Sequence, residues 1–185
     1  MYLAPQTQSE VRATLDVAFE LANALNAGDP AFDARNYLAK AGFSRASEAP
    51  EASIKRLAHR VADLHPLLES LPEAEVDDSI RRVNEELTEL PISPWIADHG
   101  GVGPHLHWTP TTATFDNQVM SDILMALAHE LCDNGTIRVG RCGADDCDDL
   151  FYDGTRNRSR RFCSDPRCAS RTHTADHRAR NRSGS

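Results

Sequence analysis

No run of eighteen apolar residues occurs in the 185-residue chain, so no helix in it is expected to cross a membrane. Met1 to Glu10 holds no apolar run either, so no secretory signal is visible and a cytoplasmic setting is expected. Several catalytic signatures are also missing. There is no Gly-x-Ser-x-Gly and no His-Glu-x-x-His, and Gly100-Gly101-Val102-Gly103 is not followed by the Lys-Ser/Thr of a phosphate loop. His129 and Glu130 are neighbours on a helical pattern and therefore point in different directions. No acid–base pair stands at a useful spacing, and no enzyme is expected. Internal repeats are absent, and the only biased tract is the Arg-rich tail that ends in Gly and Ser.

What the chain does contain is enough for a packed core: 40% hydrophobic residues against 26% charged. Its length fits one medium domain, or a domain with a small module attached. The net charge is −8, which taken alone argues against a nucleic-acid or membrane-surface protein. That mean hides a split. Residues 137–185 carry 11 arginines against 7 aspartates, a balance of +4, and residues 1–136 carry 9 basic and 21 acidic side chains, a balance of −12. Within Gly154–Arg182 nine arginines face only Asp165 and Asp176.

Periodicity makes the first two thirds helical. Ser9 is a candidate cap for a helix through Val11, Leu15, Phe19, Ala22 and Leu25, stopped at Gly28-Asp29-Pro30. A short helix is expected over Asp33–Ala41. A third follows Pro50 through Ile54, Leu57, Ala58, Val61, Leu64 and Leu68, with Pro66 expected to kink or shorten it. A fourth runs through Val76, Ile80, Val83, Leu87 and Leu90 behind Asp77 and Asp78, which suit its positive end. Pro91–Pro110 reads as a break containing a short strand at His105–Trp108. Asp116 is then expected to cap a long helix bearing Val119, Ile123, Leu127 and Leu131, closed by Asn134-Gly135. Cys132 on that helix reads as a small buried hydrophobe. His105 and His107 share one face of their strand near His99, but without a carboxylate at fixed spacing the default is a polar edge strand rather than a second metal site. The expected architecture is mainly α with small β elements: an acidic helical domain over residues 1–136 and a basic four-cysteine module over 137–185.

The strongest signal lies in that module. Cys142-x4-Cys147, fifteen residues, then Cys163-x4-Cys168 is the spacing of one structural zinc site, in which each close pair gives two thiolates from a tight turn. Four sulfurs leave no open position for a catalytic water. Two disulfides are the plain alternative, disfavoured in a reducing compartment, and an iron–sulfur cluster uses the same four thiolates. A treble-clef-like arrangement is expected, with Gly143–Asp146 as the first turn, Leu150–Tyr152 as a strand, Arg160–Phe162 as the returning strand, and Ser164-Asp165-Pro166 starting a final helix. Phe151, Tyr152 and Phe162 are its core candidates. So small a unit buries little apolar surface, and metal must supply much of its stability.

Arginines cluster around these ligands. Arg156, Arg158, Arg160 and Arg161 fall within six residues, and an extended segment would put Arg156, Arg158 and Arg160 on one side. Arg167, Arg171, Arg178 and Arg182 fall in one stripe of the final helix. Arginine suits phosphate and guanine edges, although with only two lysines in the chain this preference is also compositional. The expected role is binding to nucleic acid, most simply double-stranded DNA, with RNA open. The competing role is structural: the arginines neutralise the zinc–thiolate group, bind an acidic partner, or dock on the chain's own acidic domain. A homodimer is a further candidate assembly.

Arg141-Cys142-Gly143-Ala144-Asp145-Asp146-Cys147, then Leu150-Phe151, Thr155–Ser164 and His177-Arg178-Ala179-Arg180 resemble the CGNR zinc-finger family, and the preceding helical region loosely resembles the ABATE-type domain joined to that finger. The resemblance implies a bacterial, cytoplasmic, DNA-binding transcription regulator, in some cases tied to stress response. It implies zinc on Cys142, Cys147, Cys163 and Cys168, and a basic face of Arg156, Arg158, Arg160 and Arg161 with Asn157 among them. Arg171 and Arg178 are candidate contacts from the final helix. The signature Cys-Gly-Asn-Arg reads Cys168-Ala169-Ser170-Arg171 here, keeping the cysteine and arginine only. Asp148-Asp149 stands where the family carries a small or aromatic pair.

Overall fold

The structure is a computed structural model and describes residues 5–43, 45–98 and 103–183. The chain runs α1 (Pro5–Asn26), α2 (Ala34–Lys40), α3 (Glu51–Ser70), α4 (Val76–Thr88), β1 (Trp95–Asp98), β2 (Pro104–His107), α5 (Phe115–Asn134), β3 (Val139–Arg141), β4 (Leu150–Tyr152) and α6 (Pro166–Ser183). It is mainly helical, with two small antiparallel strand pairs. No helix among the described residues is long and apolar enough to cross a membrane.

Helix α5 is the axis of the fold. Phe115, Val119, Met120, Ile123, Leu124, Ala126, Leu127 and Leu131 are all buried, as are Gln118, Ser121 and Glu130. Buried residues thus occupy most of its circumference, which requires neighbours on several sides. Those neighbours are α1, α3 and α4. Leu15, Phe19 and Ala22 of α1 and Leu57, Val61, Leu64 and Leu68 of α3 supply their apolar stripes at the expected spacing.

Local details depart from the sequence expectation for identifiable reasons. Helix α1 starts at Pro5, before Ser9, since proline is tolerated in a first turn where its missing N–H has no partner to lose. Pro66 does not shorten α3, which continues to Ser70. Leu64, Leu67, Leu68 and Leu71 are buried on both sides of it. At about 1.5–3 kcal/mol per buried large side chain, that burial exceeds the roughly 3 kcal/mol cost of an interior proline. Thr114, not Asp116, holds the N-cap position of α5. Asp116 sits inside the first turn and takes two hydrogen bonds from Arg56, at 3.2 and 2.8 Å. Cys132 is exposed, because one residue beyond buried Leu131 is about 100° round the helix. On α4, Val83 is buried and Leu90 just beyond it is too, whereas Val76 and Ile80 are partly exposed.

Strand β1 was not legible between Pro91 and Pro94 on one side and the glycines on the other. It pairs with β2 in the register Trp95↔His107, Ile96↔Leu106, Ala97↔His105. Trp95 stacks on His107 at 5.1 Å, and its indole N–H donates to the Thr109 carbonyl at 2.8 Å. His105 lies 5.0 Å from His107, and its Nδ1 is 2.8 Å from the Gly103 carbonyl oxygen. His99 and Gly100–Val102 lie outside the described residues.

The hairpin β3–β4 pairs Val139↔Tyr152, Gly140↔Phe151 and Arg141↔Leu150. Val139, Leu150 and Tyr152 belong to the same apolar core as the helices, with Tyr152 only 1% exposed. Tyr152 is therefore not a private core residue of the cysteine module. Its hydroxyl donates to Glu130 Oε2 of α5 at 3.0 Å. Phe162 stays with the cysteines.

Candidate metal centre and nucleic-acid interface

All four expected ligands converge. One sulfur from each of Cys142, Cys147, Cys163 and Cys168 lies within 4.8 Å of the other three, and this is the metal-competent group among the described residues. The Cys147–Cys163 and Cys163–Cys168 sulfurs are 3.8 and 3.7 Å apart. A tetrahedron with zinc–sulfur bonds of about 2.3 Å has edges of about 3.8 Å, so the spacing fits a structural zinc site. The cysteines are free rather than bridged, which rules against the disulfide alternative.

Backbone geometry builds the site from two turns. Beyond β3, Cys142 N donates to Asp149 O at 2.8 Å, and Cys147 N donates to Ala144 O at 3.1 Å, closing the first turn. Gly143 N donates to Arg161 O at 2.8 Å, which brings the second ligand pair alongside. A Cβ on Gly143 would lie 3.0 Å from that carbonyl oxygen, so the close approach favours glycine. Pro166 opens α6, and Cys168 sits in its first turn, with Cys168 N donating to Asp165 O at 3.1 Å. Cys142, Cys163 and Cys168 are buried and Cys147 half-buried.

The electrostatics ask for a cation. Burial and neighbouring thiols push Cys147 up to about 12 and Cys163 higher still. Burial also opposes ionisation of Cys142, but amide N–H groups of Cys163 and Ala144 outweigh it and bring that thiol below its ordinary value. Four sulfurs so close cannot all become thiolates without a counter-charge, and a dication at their centre supplies it. Arg171 adds to this: its Nη2 donates to Cys168 Sγ at 3.4 Å and to Asp146 Oδ1 at 2.8 Å. The arginine kept from the family signature thus braces the first turn against the fourth ligand.

The arginine-rich segment is a turn, not an extended strand. Asp153, buried, organises it: Oδ1 accepts from the Thr155 amide at 2.8 Å and the Thr155 hydroxyl at 2.5 Å, and Oδ2 accepts from the Arg160 amide at 2.9 Å. Thr155 Oγ1 in turn accepts from Ser159 N at 3.0 Å. Burial would raise the Asp153 carboxyl, but these bonds and Arg138 hold it below the usual range. Four residues of chain are folded back, and Arg158 at the turn has φ +50°. The expected returning strand at Arg160–Phe162 does not form. The Arg160 amide is instead taken by Asp153.

This turn separates the arginines. Arg156, Asn157, Arg158 and Arg161 are exposed. Arg160 is not available in the same way. Its guanidinium donates to Asp16 Oδ1 of α1 at 3.1 Å, to Tyr152 O at 3.0 Å and to Phe162 O at 3.0 Å, and it lies 5.2 Å over the Phe151 ring. Gly140 also packs against that ring, and a Cβ there would come within 2.8 Å of Phe151 Cζ. Arg160 is a strut. Arg138 and Arg141 also turn inward: Arg138 bonds the carbonyls of Asp153 and Thr155 at 2.9 Å each, and Arg141 donates to Glu69 O at 2.8 Å. The side chains of Arg178 and Arg182 lie outside the described residues.

Sequence reasoning missed the residues that hold this loop. Asp153-Gly154-Thr155 carries a recognisable side-chain-to-backbone turn pattern. Asn23 of α1 carries none: its amide donates to Leu150 O at 2.7 Å and accepts from Leu150 N at 3.0 Å, acting as a neighbouring strand would for β4.

Residues 138–181 match the family model of the CGNR zinc finger. The match covers the hairpin, all four cysteines, the arginine turn and most of α6. No curated protein shows a significant match to the chain.

Proposed function

We propose, from the match of residues 138–181 to the CGNR zinc finger, that the chain is a DNA-binding transcription regulator. One observation carries the reading: the Asp153-anchored turn presents Arg156, Arg158 and Arg161 to solvent beside the metal centre. Zinc would fix the two cysteine turns and thereby the position of that loop. It supplies no chemistry at an open coordination site.

Guanidinium groups on a fixed turn engage phosphates with charge-assisted, often bidentate bonds. Such contacts position a duplex and carry no sequence information themselves. Helix α6 is the element available to approach a groove. The acidic helical domain, resembling the ABATE type, would serve as the sensing or assembling part, in a bacterial cytoplasm and with a role in stress response. Its excess of negative charge keeps long-range attraction to DNA weak, so binding rests on local presentation of the loop.

A second reading has specific support. Arg160 with Asp16, Arg138 with Glu130, and Arg141 with Glu69 and Glu73 already join the basic region to the acidic one. On that reading the finger is an interaction module that serves the chain's own fold or an acidic partner. A salt-titrated binding assay with zinc-loaded protein separates the two. If Arg156, Arg158 and Arg161 each hold one phosphate, the slope of log affinity against log salt is about −2.7 for those contacts, and their triple alanine variant loses that share. Binding to no duplex, or binding insensitive to salt, overturns the DNA reading; a parallel RNA duplex tests the choice of nucleic acid.

A further inference from the structure

Helix α1 belongs to the acidic part of the chain, yet it borders the arginine turn. Its Arg12 is exposed and makes no hydrogen bond or ion pair with any described residue. The Arg12 side chain runs over the start of the turn: a Cβ on Gly154 would lie 3.9 Å from Arg12 Cδ. Its charge reaches the Tyr152 phenol at the end of β4. One helical turn further on, Asp16 receives Arg160. Two turns beyond Asp16, Asn23 takes both backbone groups of Leu150. Arg12, Asp16 and Asn23 therefore lie along one face of α1, and that face is fastened to the finger at two places behind the loop.

We infer that α1 forms one wall of the nucleic-acid interface, with Arg12 contacting a backbone phosphate next to those held by Arg156 and Arg158. The inference rests on the DNA reading above and extends it, since it places a binding residue outside the region that matches the finger family. The physical argument is one of fixed proximity. A long flexible cation contributes to phosphate binding when its stem is held beside the other contacts, and the Arg160–Asp16 and Asn23–Leu150 links hold α1 in register with the loop. Most other arginines of the helical region are committed. Arg35 pairs with Glu51, Arg56 with Asp116, and Arg81 with Asp78 and Glu85. Arg12 has no such carboxylate among the described residues.

The test uses the full-length zinc-loaded chain and a mixed-sequence DNA duplex titrated with salt. Arg12→Ala is compared with Lys55→Ala, which removes an equal charge from an exposed site on α3, and with the Arg156/Arg158/Arg161 triple alanine variant. The expected result is a salt slope smaller in magnitude by about 0.9 for Arg12→Ala, with weaker binding, and no change of slope for Lys55→Ala. Arg12→Lys should restore most of the slope, as a retained charge requires. If the triple variant weakens binding while Arg12→Ala behaves like Lys55→Ala, α1 is not part of the interface and only this inference falls. If the wild-type chain binds no duplex, or the triple variant binds as wild type does, the DNA reading falls first and takes the inference with it.

Discussion

Cys142 and Cys168 come from opposite ends of the finger, and each depends on a neighbour for its placement: Gly143 N on Arg161 O for the first, the Asp165 turn for the second. Replacing Cys142 or Cys168 with serine should lower bound zinc from about one equivalent per chain to a small fraction of it, measured by metal analysis of purified protein. Gly140 is subject to a different constraint. Alanine there would drive a methyl group into the Phe151 ring, over which Arg160 also lies. Gly140→Ala is expected to cost about 1–3 kcal/mol in urea unfolding, the usual range for overpacking. Asp122 offers a pH test. Burial alone lifts its carboxyl to about 7, above the ordinary value near 3.9 of the unfolded chain. A raised acid binds its proton more tightly in the folded state, so stability from this group is lost as pH rises from about 4 to about 7. Asp122→Asn should therefore melt higher than wild type at pH 8, with the difference shrinking toward pH 4, as read by thermal melts across that range.

At the scale of elements, the finger is strapped to the helices rather than tethered by a linker. Asn23 satisfies both backbone groups of Leu150. Asn23→Ala would leave them without partners at a half-buried site and is expected to destabilise by about 1–3 kcal/mol, checked by chemical denaturation. An extended segment would put Arg156, Arg158 and Arg160 on one side. The structure bends it because Asp153 collects three local donors, and a carboxylate with several amide partners outcompetes a weak strand preference. Arg160 is consequently a support for the loop, held by Asp16. Asp16→Asn gives a prediction of informative sign. Losing a negative charge beside the arginines would by Coulomb attraction strengthen DNA binding, whereas loosening Arg160 would weaken it. Weaker binding in the salt-titrated assay is expected; tighter binding would show that the loop does not rely on this strut.

For the whole molecule, Val139, Leu150 and Tyr152 share one core with α1, α3 and α5. A peptide of residues 137–185 would expose those side chains and lose Asn23, Asp16 and Glu130 as partners. It should bind zinc through its cysteines yet give poorly dispersed amide NMR spectra for β3 and β4, while the full chain gives dispersed ones. The helical stripes of α1, α3 and α5, the four metal ligands and the split between acidic and basic regions are legible before any folding, because each of these is a periodicity, a spacing or a count. The strand β1, the partners of Arg160 and Asn23, and the placement of Arg12 beside Gly154 were decided by the tertiary structure alone. These are contacts between residues far apart in the chain, such as Asn23 with Leu150, and no local pattern encodes which distant group will satisfy a side chain's charge or hydrogen bonds.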